Sequence, residues 1–387
     1  MASKIHLKKS ILLIFITFLC LIPPISTSAA STPKDMVLLD AKNNSLAYVP
    51  VRAINGFDDV AVEWDAAEKK VSIVKGDIHL TMVLGKKSIQ INDQVKTITG
   101  APFREAGATY VPLQPVSEAL NWSVTWNKQT SSVDIKHGDN KLTLPFTGRG
   151  KDLNDINPIV SEHKTFKVGS RSFSVQMVTV SLLHPNIRLD VALAGDTVGK
   201  VENLSGLAKR HQAKVAINGT FFNAYTKDDY KAPYGYIVRG GELKKQASGD
   251  KRTIFTFDKN MLAELISGKD FTDRFDQGTI DGGLQAGPRL VVNGKVAIDV
   301  QGEGFRDPKI LTGGGARSAL GITRDHKLIL LTTGGATIPQ LAQIMKQAGA
   351  YQAMNLDGGA SSGLYYNGKY LTTPGRQISN AIIIKYQ

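Results

Sequence analysis

The sequence predicts an α+β protein, a small duplicated α+β domain followed by a larger mixed α/β domain. Three observations lead there. A block near the N-terminus recurs at a fixed spacing, two helix-then-strand patterns stand in the second half, and short alternating apolar segments bounded by Gly, Asn and Pro fill the remainder.

The recurrence locates the first domain. Tyr48-Val49-Pro50-Val51-Arg52 returns 62 residues later as Tyr110-Val111-Pro112-Leu113-Gln114, and Val62-Glu63-Trp64-Asp65 returns as Val124-Thr125-Trp126-Asn127. Val71 and Ile73 match Val133 and Ile135, and Gly76-Asp77 matches Gly138-Asp139, all at the same spacing. Each unit reads as an extended Tyr-Val-Pro segment, a short amphipathic helix (Ser117 to Leu120 in the second copy) and two alternating strands. The unit resembles the copper amine oxidase N-terminal-like domain. That resemblance implies a secreted, wall-associated stalk or adhesion module over residues 36–146. His79 and His137 are isolated, without a His-x-His pair or an acidic cluster, so a copper site is not expected.

Ahead of the repeat, residues 1–30 read as a secretory signal. Lys4, Lys8 and Lys9 form the basic start, Ile11 to Ile22 the apolar core, and Ser28-Ala29-Ala30 the small-residue cleavage site. The apolar run is too short for a transmembrane segment. Cys20 is the only cysteine, so removal of the signal leaves no disulfide, thiolate ligand or cysteine nucleophile. The expected location is extracellular, with cell-wall association. The chain carries 47 basic and 34 acidic residues, a formal charge of +13. These charges are scattered, with neither a Lys/Arg run nor interleaved aromatics, so nucleic acid is not an expected partner. An anionic wall polymer is.

Residues 147–158, rich in Gly, Asn and Asp, read as a linker, and residues 159–387 as the second domain. Four of its segments can carry chemistry. A helical pattern from Val201 to Gln212 leads into a strand, Lys214 to Ile217, ending in Asn218-Gly219-Thr220. A second helix, capped by Thr337 with Pro339 in its first turn and stopped by Gly349, leads into a strand from Tyr351 to Leu356. That strand ends in Asn355-Leu356-Asp357-Gly358-Gly359-Ala360-Ser361-Ser362-Gly363. Two strand ends presenting Asn or Asp beside Gly suggest two walls of one site, although tight turns use the same residues. The third segment is Gln285-Ala286-Gly287-Pro288-Arg289, and the fourth is Gly313-Gly314-Gly315-Ala316-Arg317-Ser318. Three glycines before Arg317 read as a flexible approach presenting a guanidinium to an anion, for which its planar donor fork is suited.

Gly359-Ala360-Ser361-Ser362-Gly363 also fits the G-x-S-x-G elbow of serine hydrolases, which requires a helix next and a later histidine. The following Leu364 to Tyr370 reads instead as a hairpin, and no histidine follows His326.

Together the four segments resemble the phosphodiester glycosidase family. The matching positions are Asn218-Gly219 with Phe222, Gly235, Gly287-Pro288 with Leu290, Arg317 to Gly321, Asn355 to Gly359 with Ser361-Ser362, and Arg376 with Asn380. The resemblance implies hydrolysis of a sugar-1-phosphodiester between the anomeric carbon and a phosphate oxygen, with a glycan or sugar phosphate as substrate; the alternative is a non-catalytic cell-wall polysaccharide-binding protein that keeps the fold without turnover. In its terms Asp357 is base or nucleophile, Arg317 neutralises the phosphate, and Asn218 completes the catalytic set. Gly219, Gly235, Gly358, Gly359, Ser361, Ser362 and Asn380 would line the substrate. Asp229, Glu242, Asp281 and Glu303 are all eligible as a second carboxylate. No cofactor is implied, and oxygen-only coordination of a divalent cation stays open.

Overall fold

The computed structural model describes residues 34–40, 42, 46–150 and 157–387. The expected signal, residues 1–30, and positions 151–156 of the expected linker lie outside the described residues.

The described chain is mostly β, with 29 strands and six α-helices. This corrects the α+β expectation. The helices are short because apolar residues mostly alternate, which buries one face of a strand, and the resulting sheets pack on one another. Pairing is antiparallel among the described strands except between Val37–Leu39 and Asn140–Gly148.

The N-terminal portion contains a seven-stranded and a five-stranded sheet around one apolar core, which includes Val49, Ile73, Leu80, Val111 and Ile135. The repeat is structural down to its turns. Asp65 accepts from the N–H groups of Ala67 and Glu68, and Asn127 accepts from those of Gln129 and Thr130. Lys69 and Ser131 both take positive φ, 52° and 49°, as do Gly76 and Gly138. Strands Ala47–Pro50 and Ala108–Pro112 pair with Tyr48 opposite Pro112, Val49 opposite Val111 and Pro50 opposite Tyr110. Equivalent residues therefore exchange places across a local two-fold at Val49 and Val111. The repeat helices run Val51–Ile54 and Leu113–Ala119, the second starting earlier than the sequence suggests.

The linker expectation starts inside a strand, since Asn140–Gly148 continues past residue 146. The two portions also touch directly. The Lys34 ammonium donates to the carbonyls of Leu182 and His184, the Asp35 N–H donates to Asn260 Oδ1 at 2.8 Å, and His326 Nε2 lies 3.0 Å from the Ser131 carbonyl. Met36, Leu38, Tyr48 and Tyr110 close an apolar cluster with Leu183.

The C-terminal portion is built on three sheets. A seven-stranded sheet includes Gly315–Ile322, Lys327–Ala336 and Gln352–Asn355. One five-stranded sheet includes Ile187–Leu193, Val215–Asn218 and Asn380–Tyr386, and the other Thr253–Phe257 and Gly282–Gln285. All three contribute to one core, through residues such as Leu320 and Met354, Val191 and Ile382, and Phe255 and Leu284. Two helices cover outer faces. Ile338–Gln347 starts with a full capping box between Thr337 and Gln340 and buries Leu341, Ile344 and Met345. Leu204–Arg210 packs Leu204, Leu207 and Ala208 against Ala216 and Ile383. Each helix runs directly into the strand that ends at the candidate site.

Candidate active site

The two strand ends that the sequence singles out belong to different sheets, and they meet. Asn218 Nδ2 donates to the Asp357 carbonyl at 2.7 Å, and the Asp357 N–H donates to the Gly219 carbonyl at 3.0 Å. Asn218 Oδ1 accepts from Ser318 Oγ at 2.7 Å and from the Gly363 N–H at 3.0 Å. One buried amide thus ties together the Asn218 strand, the Arg317 strand and both ends of the Asp357 turn. Asn218 thereby positions Asp357.

The turn itself explains its glycines separately. A Cβ at Gly358 would stand 2.9 Å from the Ala316 carbonyl oxygen, while Gly359 has φ of +60°. The Asp357 carboxyl is half-buried. Burial pushes its pKa up to about 6, against the opposing effects of the Ser361 hydroxyl, the Arg376 charge and the Gly358 N–H. The Ser361 hydroxyl and the Gly358 N–H thus favour the ionised carboxylate without offsetting its burial. Ser362 Oγ, further along the turn, is buried with no hydrogen-bond partner among the described residues. A short 3-10 turn, Gly359–Ser361, and then the strand Leu364–Tyr366 follow, so no serine-elbow helix stands there.

Arg317 differs from expectation. It lies within a strand opposite Thr333, not on a flexible approach, and only 4% of its surface is exposed. Its Nε donates to the Ala336 carbonyl at 2.9 Å, and its Nη2 donates to those of Lys309 and Gly313 at 2.7 and 2.8 Å. Only Nη1 points the other way, 3.7 Å from where a Cβ on Gly358 would stand. Most of this guanidinium braces backbone.

Asn380 and Gly219 form a second framework pair. Asn380 Oδ1 accepts from the Thr220 N–H at 2.9 Å, and its carbonyl accepts from the Gly219 N–H at 3.0 Å. A Cβ at Gly219 would lie 2.2 Å from Asn380 Oδ1 and 2.6 Å from Leu284 Cδ1, so only glycine fits. Gly235, at φ +102°, packs against Gln285. These positions hold the walls of the site.

The four eligible second carboxylates separate. Glu303 is committed to the N–H and hydroxyl of Thr253 and to the Arg289 N–H, at 2.8, 3.0 and 2.6 Å. Glu242 is exposed and paired with Lys244. Burial pushes the Asp281 carboxyl's pKa up, with Lys259 and Asp190 as its charged neighbours, and Asp229 is exposed. Among the described residues no three His, Cys, Asp or Glu side chains gather as a metal group.

Sequence reasoning missed Ser318 as the partner of Asn218. It also missed Tyr225 and Lys231, which with Arg376 line a cavity of about 360 Å³ that reaches Ala360 on the Asp357 turn. The polar loop after Phe222 was the available signal, but its contact with Arg376 spans 151 residues.

The family model for phosphodiester glycosidase matches residues 211–385, and that for the copper amine oxidase N-terminal domain matches residues 38–135 and 91–173. Comparison with curated proteins gives no match. Among solved structures, a hypothetical protein from Synechocystis is similar with a TM-score of 0.54 at 15% identity, covering 88% of this chain and 94% of that one. The catalytic domain of zebrafish N-acetylglucosamine-1-phosphodiester alpha-N-acetylglucosaminidase, auto-inhibited by its pro-peptide, has a TM-score of 0.51 at 22% identity, covering 60% of this chain and 85% of that one. These likenesses support the fold. The portion that carries Asp357 thus matches the phosphodiester glycosidase family model, and the portion ahead of it matches that of the copper amine oxidase N-terminal domain.

Proposed function

We propose that this protein is a secreted hydrolase that cleaves a sugar-1-phosphodiester, breaking the bond between the anomeric carbon and a phosphate oxygen. The proposed sugar is an N-acetylhexosamine and the proposed source a cell-wall or extracellular glycopolymer. The observation that carries this reading is the Asp357 carboxyl, its pKa pushed up to about 6 by burial, on a tied-down turn whose Ala360 lines an open cavity. Phosphate leaves with its negative charge already delocalised, so the reaction asks little of a general acid. It asks for a carboxylate at the anomeric carbon, as attacking group or as base for water, and for cations near the phosphate. Above pH 6 Asp357 is mostly ionised and serves the first need. Asn218, Ser318 and Asn380 keep it in place. The signal-like N-terminus supports secretion, and the charge of about +10 that remains without Lys4, Lys8 and Lys9 supports contact with anionic wall polymer.

The test is release of free N-acetylglucosamine from UDP-N-acetylglucosamine or a simpler N-acetylglucosamine-1-phosphodiester by the purified protein. Wild type should release it, and Asp357→Asn should lose on the order of 10²–10⁴-fold in rate. A wild-type protein that binds these compounds but releases no sugar at any pH would leave only a binding role.

A further inference from the structure

The cavity that reaches Ala360 on the Asp357 turn is lined by Val201, Phe222, Tyr225, Lys231, Ala360 and Arg376, among others, and no Asp or Glu lines it. We propose that it is an anion subsite in which Arg376 and Lys231, rather than Arg317, hold the phosphate of the sugar phosphodiester. This assignment rests on the reaction proposed above and says where its phosphate lies.

Three observations converge on it. First, Arg317 spends Nε and Nη2 on three backbone carbonyls, which leaves one nitrogen for a ligand. Second, Arg376 is fixed to the catalytic turn. The Gly375 N–H donates to the Ala360 carbonyl at 2.8 Å, and Pro374 packs on Gly363, where a Cβ would come within 2.3 Å of its ring. Downstream, Ile378 and Glu202 exchange backbone hydrogen bonds of 2.9 Å. The Arg376 charge consequently acts on Asp357 itself.

Third, the cations of this cavity have neutral partners. Arg376 Nη2 donates to the Tyr225 hydroxyl at 2.9 Å, and its guanidinium carbon lies 4.9 Å from that ring's centre. The Lys231 ammonium donates to the Thr226 carbonyl. Neither makes an ion pair among the described residues, whereas Arg210, Arg239, Arg252 and Arg274 each pair with a carboxylate. Concave walls that carry one sign of charge concentrate counter-ions. Contact with Tyr225 orients the Arg376 fork, whose planar geometry meets two phosphate oxygens at once. Tyr225 is 80% exposed, so its ring adds an aromatic face at the mouth of the cavity for whatever the phosphate carries.

The probe is inorganic phosphate, titrated at constant ionic strength into the full protein and followed by calorimetry or NMR. Arg376→Gln should weaken binding at least tenfold and Lys231→Gln several-fold, with Arg376→Lys in between. Lys96→Gln, on an exposed strand of the N-terminal domain, should bind as wild type. Equal binding by wild type, Arg376→Gln and Lys231→Gln overturns the assignment. So does a wild type that ignores millimolar phosphate, or a loss as large in Lys96→Gln. Because inorganic phosphate is not turned over, phosphate binding that depends on Arg376 sustains the subsite even where no sugar is released.

Discussion

Replacing Asn218 with Ala probes how the site is built. The side chain is 1% exposed and makes three hydrogen bonds, to the Asp357 carbonyl, the Ser318 hydroxyl and the Gly363 N–H. The Ser318 hydroxyl can rotate after truncation, but the Asp357 carbonyl and Gly363 N–H cannot. Each stranded buried backbone group costs about 1–3 kcal/mol, so the variant should lose about 3 kcal/mol or more. Against a typical total of about 5–15 kcal/mol that is a large fraction. At about 2–4 °C per kcal/mol for domains approaching this size, the melting temperature should fall by about 10 °C. Thermal unfolding followed by circular dichroism reads this directly. Activity at a temperature where the variant stays folded should also drop, because the Asp357 turn loses its tie. Asn218→Asp keeps the acceptor for Gly363 but sets an oxygen against the Asp357 carbonyl, and should be at least as unstable. An Ala variant melting within about 1–2 °C of wild type, or about 0.5 kcal/mol, would refute the framework role.

Three further outcomes follow. If Asp357 acts ionised, kcat/KM should rise about tenfold per pH unit below about 6 and level off above it; a fall with rising pH would make it an acid instead. Its raised pKa also means that the folded state binds more protons than the unfolded state between the ordinary value of 3.8 and about 6, so stability is lost as pH rises through that window. Asp357→Asn should therefore be more stable than wild type at pH 7, by about 1 kcal/mol once the half-exposed carboxyl's solvent screening is allowed for, and equal to it near pH 4. Equal melting temperatures at both pH values would contradict this. Gly219→Ala should destabilise by about 1–3 kcal/mol through the clash with Asn380 and Leu284, whereas Gly315→Ala, with nothing within 4 Å of its added carbon, should not, as urea midpoints would show.

Much of the arrangement is legible in the sequence where spacing or strand-end chemistry encodes it. The repeat keeps one register without insertion, so Asp65 and Asn127, Lys69 and Ser131, and Gly76 and Gly138 fall at equivalent turn positions. The Asn218 and Asp357 strand ends carry the same helix–strand plan and do meet. The β-rich class is not legible, because two true helices, one of them with a full capping box, suggest a helical layer that sheet-on-sheet packing replaces. Nor is the setting of Arg317: its acceptors at Lys309, Gly313 and Ala336 are backbone oxygens, which no residue type announces. The tie from Arg376 to Tyr225 joins two loops remote in sequence and leaves no periodic trace. Glu303 reads as a free carboxylate until its three donors are seen.

Hydrolysis of an N-acetylglucosamine-1-phosphodiester in heavy-oxygen water, with mass analysis of both products, tests the central claim most directly. Attack at the anomeric carbon under the control of Asp357 puts the label in the hydroxyl of the released sugar and none in the phosphate product, and Asp357→Asn forms neither product at a comparable rate. Label in the phosphate product, or undiminished release by Asp357→Asn, would contradict the account.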